Sequence, residues 1–315
     1  MAVRPEVIQF EPNTTCNLRC RVCPCTSSAG SRPSVNVTFQ EYREIFGRSF
    51  TPPYLVIYSG FSEALLNPNL YRMVEYEKYR HCSAFVATNG VLLDDRRVAR
   101  FLDAGVDQFV VSLDSDRPEI YEAVRTGARL PAVLRNVLRL RDEIARRASP
   151  SRIVVNCVVL RDTSAHLESL LRFLDANGIA DVALIKGMKM AGMRNRFLRE
   201  QYLSWEDYNA LPLRRVAQRA RTLGMRLMRS DDAVLRTRGC HCPGGGFYIS
   251  AGFDVAVCPF LSFHPRYVFG NLRRESIDEI LRKDAFVAFR ERFARGKWPA
   301  VCNECACLFS ELERP

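Results

Sequence analysis

The sequence predicts an α/β fold built on a parallel sheet. Three observations predict it. Six short apolar runs, most of them rich in β-branched residues, have the look of strands buried on both faces. Helical patterns fill the gaps between them. Strand and helix alternate about six times over the first two-thirds of the chain, a β/α repeat that builds either an open doubly wound sheet or a barrel.

The elements follow in order. Val7 to Phe10 form the first run, which leads straight into cysteines. Tyr54 to Tyr58, Ala84 to Ala87, Phe109 to Leu113, Ile153 to Leu160 and Val182 to Ile185 supply the other five. Thr38-Phe-Gln-Glu41 is a capping-box helix start. Val133, Val137, Leu140 and Ile144 recur at helical spacing, as do Leu167, Leu170, Leu171 and Leu174 ahead of Gly178. Ser204-Trp-Glu-Asp207 opens a helix expected to run to about Leu223. Beyond it the pattern changes. Met225 to Met228 and Phe247 to Val257 read as strands, the latter interrupted at Gly252. Ser276-Ile-Asp-Glu279 caps one final helix carrying Ile277, Ile280, Leu281, Phe286, Phe289 and Phe293. A boundary near residue 223 therefore separates 1–223 from a small cysteine-bearing α+β unit, 224–315.

At 315 residues, with 47% hydrophobic and 26% charged, the chain has the balance of a soluble globular enzyme and not of a disordered one. No apolar stretch is long enough to span a bilayer. The start, MAVRPEVIQFEPNTTC, lacks the apolar block of a secretion signal, so a cytoplasmic, reducing location is expected. Twelve cysteines in such a compartment point to metal or catalytic thiols rather than disulfides. Cys82 and Cys157, in or beside apolar runs, read as small buried hydrophobes. The net charge of +11 gives a positive field suited to phosphorylated or carboxylated small molecules or to nucleic acid. The basic residues are spread out, and the dense stretch Arg214 to Arg238 has no interleaved aromatic platform. A generally basic surface is the favoured reading, and nucleic acid is not an expected partner.

The remaining cysteines crowd two places. Cys16-Asn-Leu-Arg-Cys20-Arg-Val-Cys23 puts three thiols on one loop after the first strand. Three thiolates on three irons of a [4Fe–4S] cluster leave the fourth iron open, which is useful only if a substrate or cofactor binds there. The competing reading is a structural zinc held by Cys16, Cys20, Cys23 and Cys25.

The C-x3-C-x2-C spacing after a strand resembles the radical S-adenosylmethionine (SAM) superfamily. Val22 stands where that family usually has an aromatic residue. Tyr58-Ser-Gly-Phe-Ser-Glu63-Ala-Leu-Leu-Asn-Pro resembles the family's G-G-E-P-L-L-x-P segment, with Ala64 in place of proline. Thr88-Asn-Gly90 matches T-N-G, Val111-Ser112-Leu-Asp114 matches S-L-D-G with Ser115 for glycine, and Arg125-Thr-Gly127 matches a downstream R-G. The resemblance implies a partial (β/α)6 TIM-like barrel whose site lies at the C-terminal ends of the strands. It implies a SAM-binding [4Fe–4S] cluster on Cys16, Cys20 and Cys23. Glu63 would hold the SAM ammonium, which needs an anionic partner at short range. Arg125 would meet its carboxylate, with Ser112 and Asn156 as further cofactor contacts. Ordinary loop hydrogen bonding is the competing reading for Ser112, Arg125 and Asn156. The implied chemistry is reductive cleavage of SAM to methionine and a 5′-deoxyadenosyl radical that abstracts hydrogen.

At the other end lie Cys240-His-Cys242-Pro, Cys258-Pro, Gly270-Asn-Leu and Cys302-Asn-Glu-Cys305-Ala-Cys307. Four thiolates from remote segments suit a metal that staples a small domain, either an iron–sulfur cluster or zinc. The segment resembles the SPASM/twitch extension of radical SAM enzymes, and six thiols suit the shorter twitch form with one auxiliary [4Fe–4S] cluster. Cys240, Cys258, Cys302 and Cys305 are the implied ligands, with Cys242 as a substitute for Cys240 and Cys307 a third choice or a free thiol. His241 reads as a loop residue.

In length and layout the chain resembles the aminocyclitol dehydrogenases of this type. That implies oxidation or epimerisation of a small polar metabolite, such as a sugar, aminocyclitol or nucleoside, fed by a flavodoxin- or ferredoxin-type reductant. Epimerisation would need a thiol hydrogen donor near the barrel mouth, for which Cys25 and Cys242 are candidates, buried or spare thiols being the alternative. A peptide-modifying maturase is the second reading. Only fifteen residues precede Cys16, which leaves no room for a separate peptide-recognition domain and favours a small molecule. A non-catalytic metal-stapled or RNA-binding protein is the third reading, and the Glu63 segment weighs against it. Substrate contacts are expected around Lys186 to Arg199, where Met188, Met190 and Met193 read as packing.

Overall fold

The computed structural model describes residues 6–27, 33–49, 55–187, 196–229 and 246–295, together with Lys297, Pro299 and Cys302. Its framework is one ten-stranded sheet in the order β10-β9-β8-β1-β2-β3-β4-β5-β6-β7. The strands are β1 (Val7–Phe10), β2 (Leu55–Tyr58), β3 (Ser83–Thr88), β4 (Gln108–Ser112), β5 (Arg152–Val159), β6 (Asp181–Lys186), β7 (Arg226–Arg229), β8 (Gly246–Ile249), β9 (Asp254–Ala256) and β10 (Val268–Asn271). All six expected runs are strands, the first at its expected bounds and the others within one residue at each end, with Tyr54 outside the described residues. β1 to β7 are parallel neighbours in chain order. The run of parallel neighbours in chain order therefore has seven strands, because Arg226–Arg229 pairs with β6 beyond the position where the sequence pattern changes.

Helices make the crossovers between β1 and β7, which keeps successive parallel strands adjacent, and two more helices follow β10. They are α1 (Pro24–Ser27), α2 (Phe39–Ser49), α3 (Leu70–Tyr79), α4 (Asp95–Asp103), α5 (Pro118–Val124), α6 (Leu130–Arg146), α7 (Arg161–Ser164), α8 (Leu167–Ala176), α9 (Arg196–Gln201), α10 (Trp205–Ala210), α11 (Leu213–Thr222), α12 (Ile277–Arg282) and α13 (Asp284–Ala294). The Thr38–Glu41 capping box forms, with Glu41 N–H donating to Thr38 Oγ1 and Thr38 N–H to Glu41 Oε2. The helix expected from Ser204 to Leu223 is two helices. Pro212 cannot continue a helix, and Leu211 before it is extended at ψ 151°. The single final helix is likewise two. Lys283, extended at ψ 136°, separates them and donates to Phe269 O at 3.0 Å. The break turns Phe286 and Phe289 onto Phe269, with ring centroids 5.0 and 5.7 Å away.

Alternation along each strand splits the sheet into two faces. Ile8, Phe10, Val56, Tyr58, Val86, Phe109, Val155 and Leu184 join the helices in one large core. Val7, Leu55, Ile57 and Phe85 form a separate cluster on the other face, the one that looks into the barrel, as do Val154, Ala183 and Met228. Cys82 and Cys157 are buried, as expected of small hydrophobes. The C-terminal segment extends the same sheet. β8 lies parallel to β1, and β9 and β10 follow as antiparallel neighbours. β1 thus has a strand on each side, and the loop that leaves it starts from a fixed base. Among the described residues no helix is long and apolar enough to cross a membrane.

Candidate functional site

The loop after β1 is pinned at several points. Glu11 N–H donates to Ile249 O at 2.9 Å, and Ser59 N–H donates to Phe10 O at 3.0 Å. Arg19 N–H bonds Thr126 O and Arg21 N–H bonds Val124 O, each at 2.9 Å, so Cys20 is held between two rungs against the end of α5. Gly127 makes that approach possible. Its φ is +100°, and a Cβ there would stand 3.3 Å from Leu18 Cδ2. Cys20 is buried, and Cys16 and Cys23 are half-buried.

The three thiols share one enclosure. Burial pushes Cys16 up to about 11, with Glu63, Cys20 and Cys23 adding repulsion. Burial also raises Cys20, opposed by the Arg125 guanidinium that bonds it. A hydrogen bond with Cys25, then burial, raises Cys23. Crowded thiolates that repel one another need a cationic core between them, and binding one would draw the protons off. Leu18 N–H already points at Cys16 Sγ, 3.4 Å away. The donor set therefore fits an iron–sulfur cluster. Among the described residues no three His, Cys, Asp or Glu side chains converge as they would around a single ion. A four-iron cluster spreads its thiolates over separate irons and does not require that convergence.

Glu63 lies in the loop after β2 and is 2% exposed. Its backbone is tied to the cysteine loop, N–H to Thr15 O at 2.9 Å and C=O from Asn13 Nδ2 at 2.8 Å. Its carboxylate accepts from Thr88 Oγ1 at 2.7 Å, Asn89 N–H at 2.8 Å and Leu65 N–H at 3.2 Å. Asn89 Nδ2 reaches across to Asn17 Oδ1 at 2.8 Å. The ends of β2 and β3 and the cysteine loop thus form one hydrogen-bonded unit. Burial raises the Glu63 pKa, and its three donors oppose the shift. A buried carboxylate with this support calls for a cation to complete it.

Ser112, the last residue of β4, stands in register beside Asn156, which lies within β5. Asn156 Oδ1 is buried with no hydrogen-bond partner among the described residues. Such an acceptor is expensive to leave unmet, and a ligand N–H or O–H would satisfy it. Arg125, the expected partner of the SAM carboxylate, lies at the end of α5. Its guanidinium makes a two-pronged pair with Asp114, at 2.6 and 3.0 Å, and bonds Cys20. Asp114 also accepts from Val158 N–H at 2.9 Å. The pair is nearly enclosed, with side-chain exposures of 12% and 0%. Asp114→Asn strips the charge partner while keeping an acceptor for Val158. It is expected to destabilise the fold by about 3–5 kcal/mol, checked by denaturant unfolding.

Of the second group of cysteines, Cys258 and Cys302 are described and half-buried. Cys240, Cys242, Cys305 and Cys307, along with His241, Met188, Met190 and Met193, lie outside the described residues. The segment after Cys258 reaches the Glu63 loop. Phe61 packs on Phe260 and Phe263, with ring centroids 5.7 and 4.8 Å away. From the linker after β6, Phe197 of α9 lies 3.8 Å under the Arg21 guanidinium. Cys25 is hydrogen-bonded within the cysteine loop. Glu11, Asn13 and the roles of Asn89 and Asp114 were not visible as site features in the sequence. The one available signal for Glu11 was an acid directly following the apolar run Val7–Phe10.

A partial β/α barrel with a three-cysteine loop after its first strand, and a buried glutamate after its second, defines a class of enzymes that pair an iron–sulfur cluster with a bound cofactor. The model of the radical SAM superfamily matches residues 10–174, more than half of the chain, and the chain belongs to that superfamily. The SPASM iron–sulfur cluster-binding domain matches residues 240–306. These assignments carry a SAM-binding [4Fe–4S] cluster, SAM and auxiliary iron–sulfur binding. Among relatives, the mycofactocin maturase MftC of Mycobacterium ulcerans is 23% identical over 96% of this chain and 80% of its own. The Streptococcus suis SuiB structure bound to the precursor peptide SuiA has a TM-score of 0.76 at 11% identity, covering 99% of this chain and 74% of that one. BtrN in complex with AdoMet and 2-DOIA has a TM-score of 0.57 at 16% identity, covering 98% and 95%. At these identities the solved structures speak for the fold.

Proposed function

We propose that this chain cleaves SAM reductively and uses the resulting radical to abstract hydrogen during modification of a peptide or peptide-derived precursor. The observation that carries the SAM reading is the Glu63 carboxylate, buried and held by Thr88 and Asn89 beside the cysteine loop. When bound, the cluster supplies the single electron that breaks the SAM carbon–sulfur bond. Cys16, Cys20 and Cys23 hold that cluster, and Arg125 steadies Cys20 from the protein side. Glu63 takes the SAM ammonium. The unmet Asn156 oxygen accepts a cofactor N–H or O–H, with Ser112 next to it. Cys258 and Cys302, with Cys240 or Cys242 and Cys305, are the proposed auxiliary ligands, and an acidic flavodoxin- or ferredoxin-type carrier is the proposed reductant.

The maturase among the relatives and the peptide-bound structural neighbour support the peptide reading. A second reading is oxidation or epimerisation of a small polar metabolite. It is supported by BtrN, which matches this chain over nearly the whole of both lengths.

The test is anaerobic reconstitution followed by SAM, dithionite and two substrate panels, one of short peptides and one of aminocyclitols and sugars. The reading expects 5′-deoxyadenosine release that rises with peptides. Enhancement by the polar small molecules alone supports the second reading. No release under any condition defeats both.

A further inference from the structure

Glu11 is fully buried, one position past the end of β1. By the alternation that sends Val7 to the barrel face, Gln9 and Glu11 point the same way. One carboxylate oxygen accepts the backbone N–H of Phe61 at 2.8 Å. The other accepts the phenol of Tyr248 at 2.9 Å, across 237 positions of sequence. Tyr248 lies on β8 and is 1% exposed. Gly60 is cut to this contact, because a Cβ there would come within 2.6 Å of the Glu11 carboxylate.

Phe61 is two residues before Glu63. Its backbone is fixed by Glu11, and its ring rests on Phe260 and Phe263, which follow Cys258. Both supports lead to the C-terminal segment, one through the polar Glu11–Tyr248 bond and one through an aromatic cluster. Glu63 needs such support because its carboxylate sits in a buried position where a small displacement breaks short hydrogen bonds.

We propose that Glu11 is a positioning residue: its carboxylate ties the Glu63 loop to Tyr248, so that β8 of the C-terminal segment sets the geometry of SAM binding. The inference rests on the reading of Glu63 as the SAM ammonium partner. Removing the Tyr248 hydroxyl lets the loop drift without touching a cluster ligand or Glu63. The effect belongs in the affinity for SAM and not in the chemical step that follows saturation.

The experiment uses the reconstituted full chain and four proteins: the natural sequence, Tyr248→Phe, Glu11→Ala and Glu11→Gln. SAM is titrated against the reduced cluster by electron paramagnetic resonance, and 5′-deoxyadenosine release is followed as a function of SAM concentration. Tyr248→Phe is expected to raise KM for SAM about fivefold while kcat stays within about twofold, the loss of about one hydrogen bond. Glu11→Ala is expected to lose more. Glu11→Gln keeps a carbonyl for Phe61 N–H and can turn its NH2 toward the Tyr248 oxygen, so it is expected to recover most of what Glu11→Ala loses. Unchanged KM in Tyr248→Phe with the natural protein binding SAM overturns the inference. So does a parallel fall of kcat, iron content and melting temperature, or a Glu11→Gln no better than Glu11→Ala. A natural protein that shows no SAM-dependent change in the cluster signal fails the underlying reading instead.

Discussion

Cys16→Ala, Cys20→Ala and Cys23→Ala are each expected to bring 5′-deoxyadenosine release down to background. Each is also expected to lower the iron content of reconstituted protein from about eight to about four per chain if both cysteine groups hold four-iron clusters. Among the described residues, Cys16 and Cys20 have no neighbouring thiol bonded to them as Cys23 has in Cys25. Cys20 is locked between the Arg19 and Arg21 rungs, and its partner Arg125 is committed to Asp114. An alanine there leaves the guanidinium facing a methyl group. Cys25 already bonds Cys23, so it is the one neighbour that could substitute, and Cys23→Ala is the most informative of the three. Iron and sulfide assays with chromatography of the nucleoside product make the check. A triple variant that still releases 5′-deoxyadenosine at the natural rate ends the assignment.

The second large effect is expected at Glu63. Glu63→Gln removes the charge while keeping an acceptor for Thr88 or Asn89. It is expected to weaken SAM binding by about tenfold to a hundredfold, the range of a charge-assisted hydrogen bond. Glu63→Ala also strands three donors and is expected to cost stability as well. The pH dependence follows from the raised pKa, for which burial is the first cause. An acid with a raised pKa keeps its proton higher on the pH scale, and SAM requires the ionised form. SAM affinity is therefore expected to increase as pH rises through the region just above the ordinary carboxylate range, and Glu63→Gln should flatten that increase. For the protein without SAM the sign is opposite. The folded state then binds the proton more tightly than the unfolded one, so this group's contribution to stability declines over the same rise. Isothermal titration and thermal melting across pH separate the two.

Much of this architecture was legible in the sequence because buried parallel strands leave short β-branched runs and the cysteine loop leaves a fixed spacing. The three segments that meet at Glu63 were each readable in isolation, as a strand end followed by a polar turn. Their mutual contacts were not readable. Asn89 to Asn17, Asn13 to the Glu63 carbonyl and Arg125 to Asp114 join residues from different loops, and no local periodicity reports such pairs. At Arg125 the R-T-G pattern is visible in the sequence, while the contacts of its guanidinium with Asp114 and Cys20 are not. The two misjudged helices fail for separate local reasons. Pro212 sits within a continuous amphipathic pattern, and Lys283 is drawn out of line by Phe269 O and Glu275.

The place of β1 in the sheet has a consequence for biosynthesis. While the chain emerges from the ribosome, β1 can pair with β2 early, but its other edge waits for β8. Until then the strand that launches the cysteine loop is an open edge, with unpaired amides beside an unfilled cluster pocket, and exposed edges recruit other chains. Such late, long-range closure slows folding. Chains that stop short of residue 246 should therefore accumulate as inclusion bodies, and co-expression of iron–sulfur assembly factors should be of little help to them.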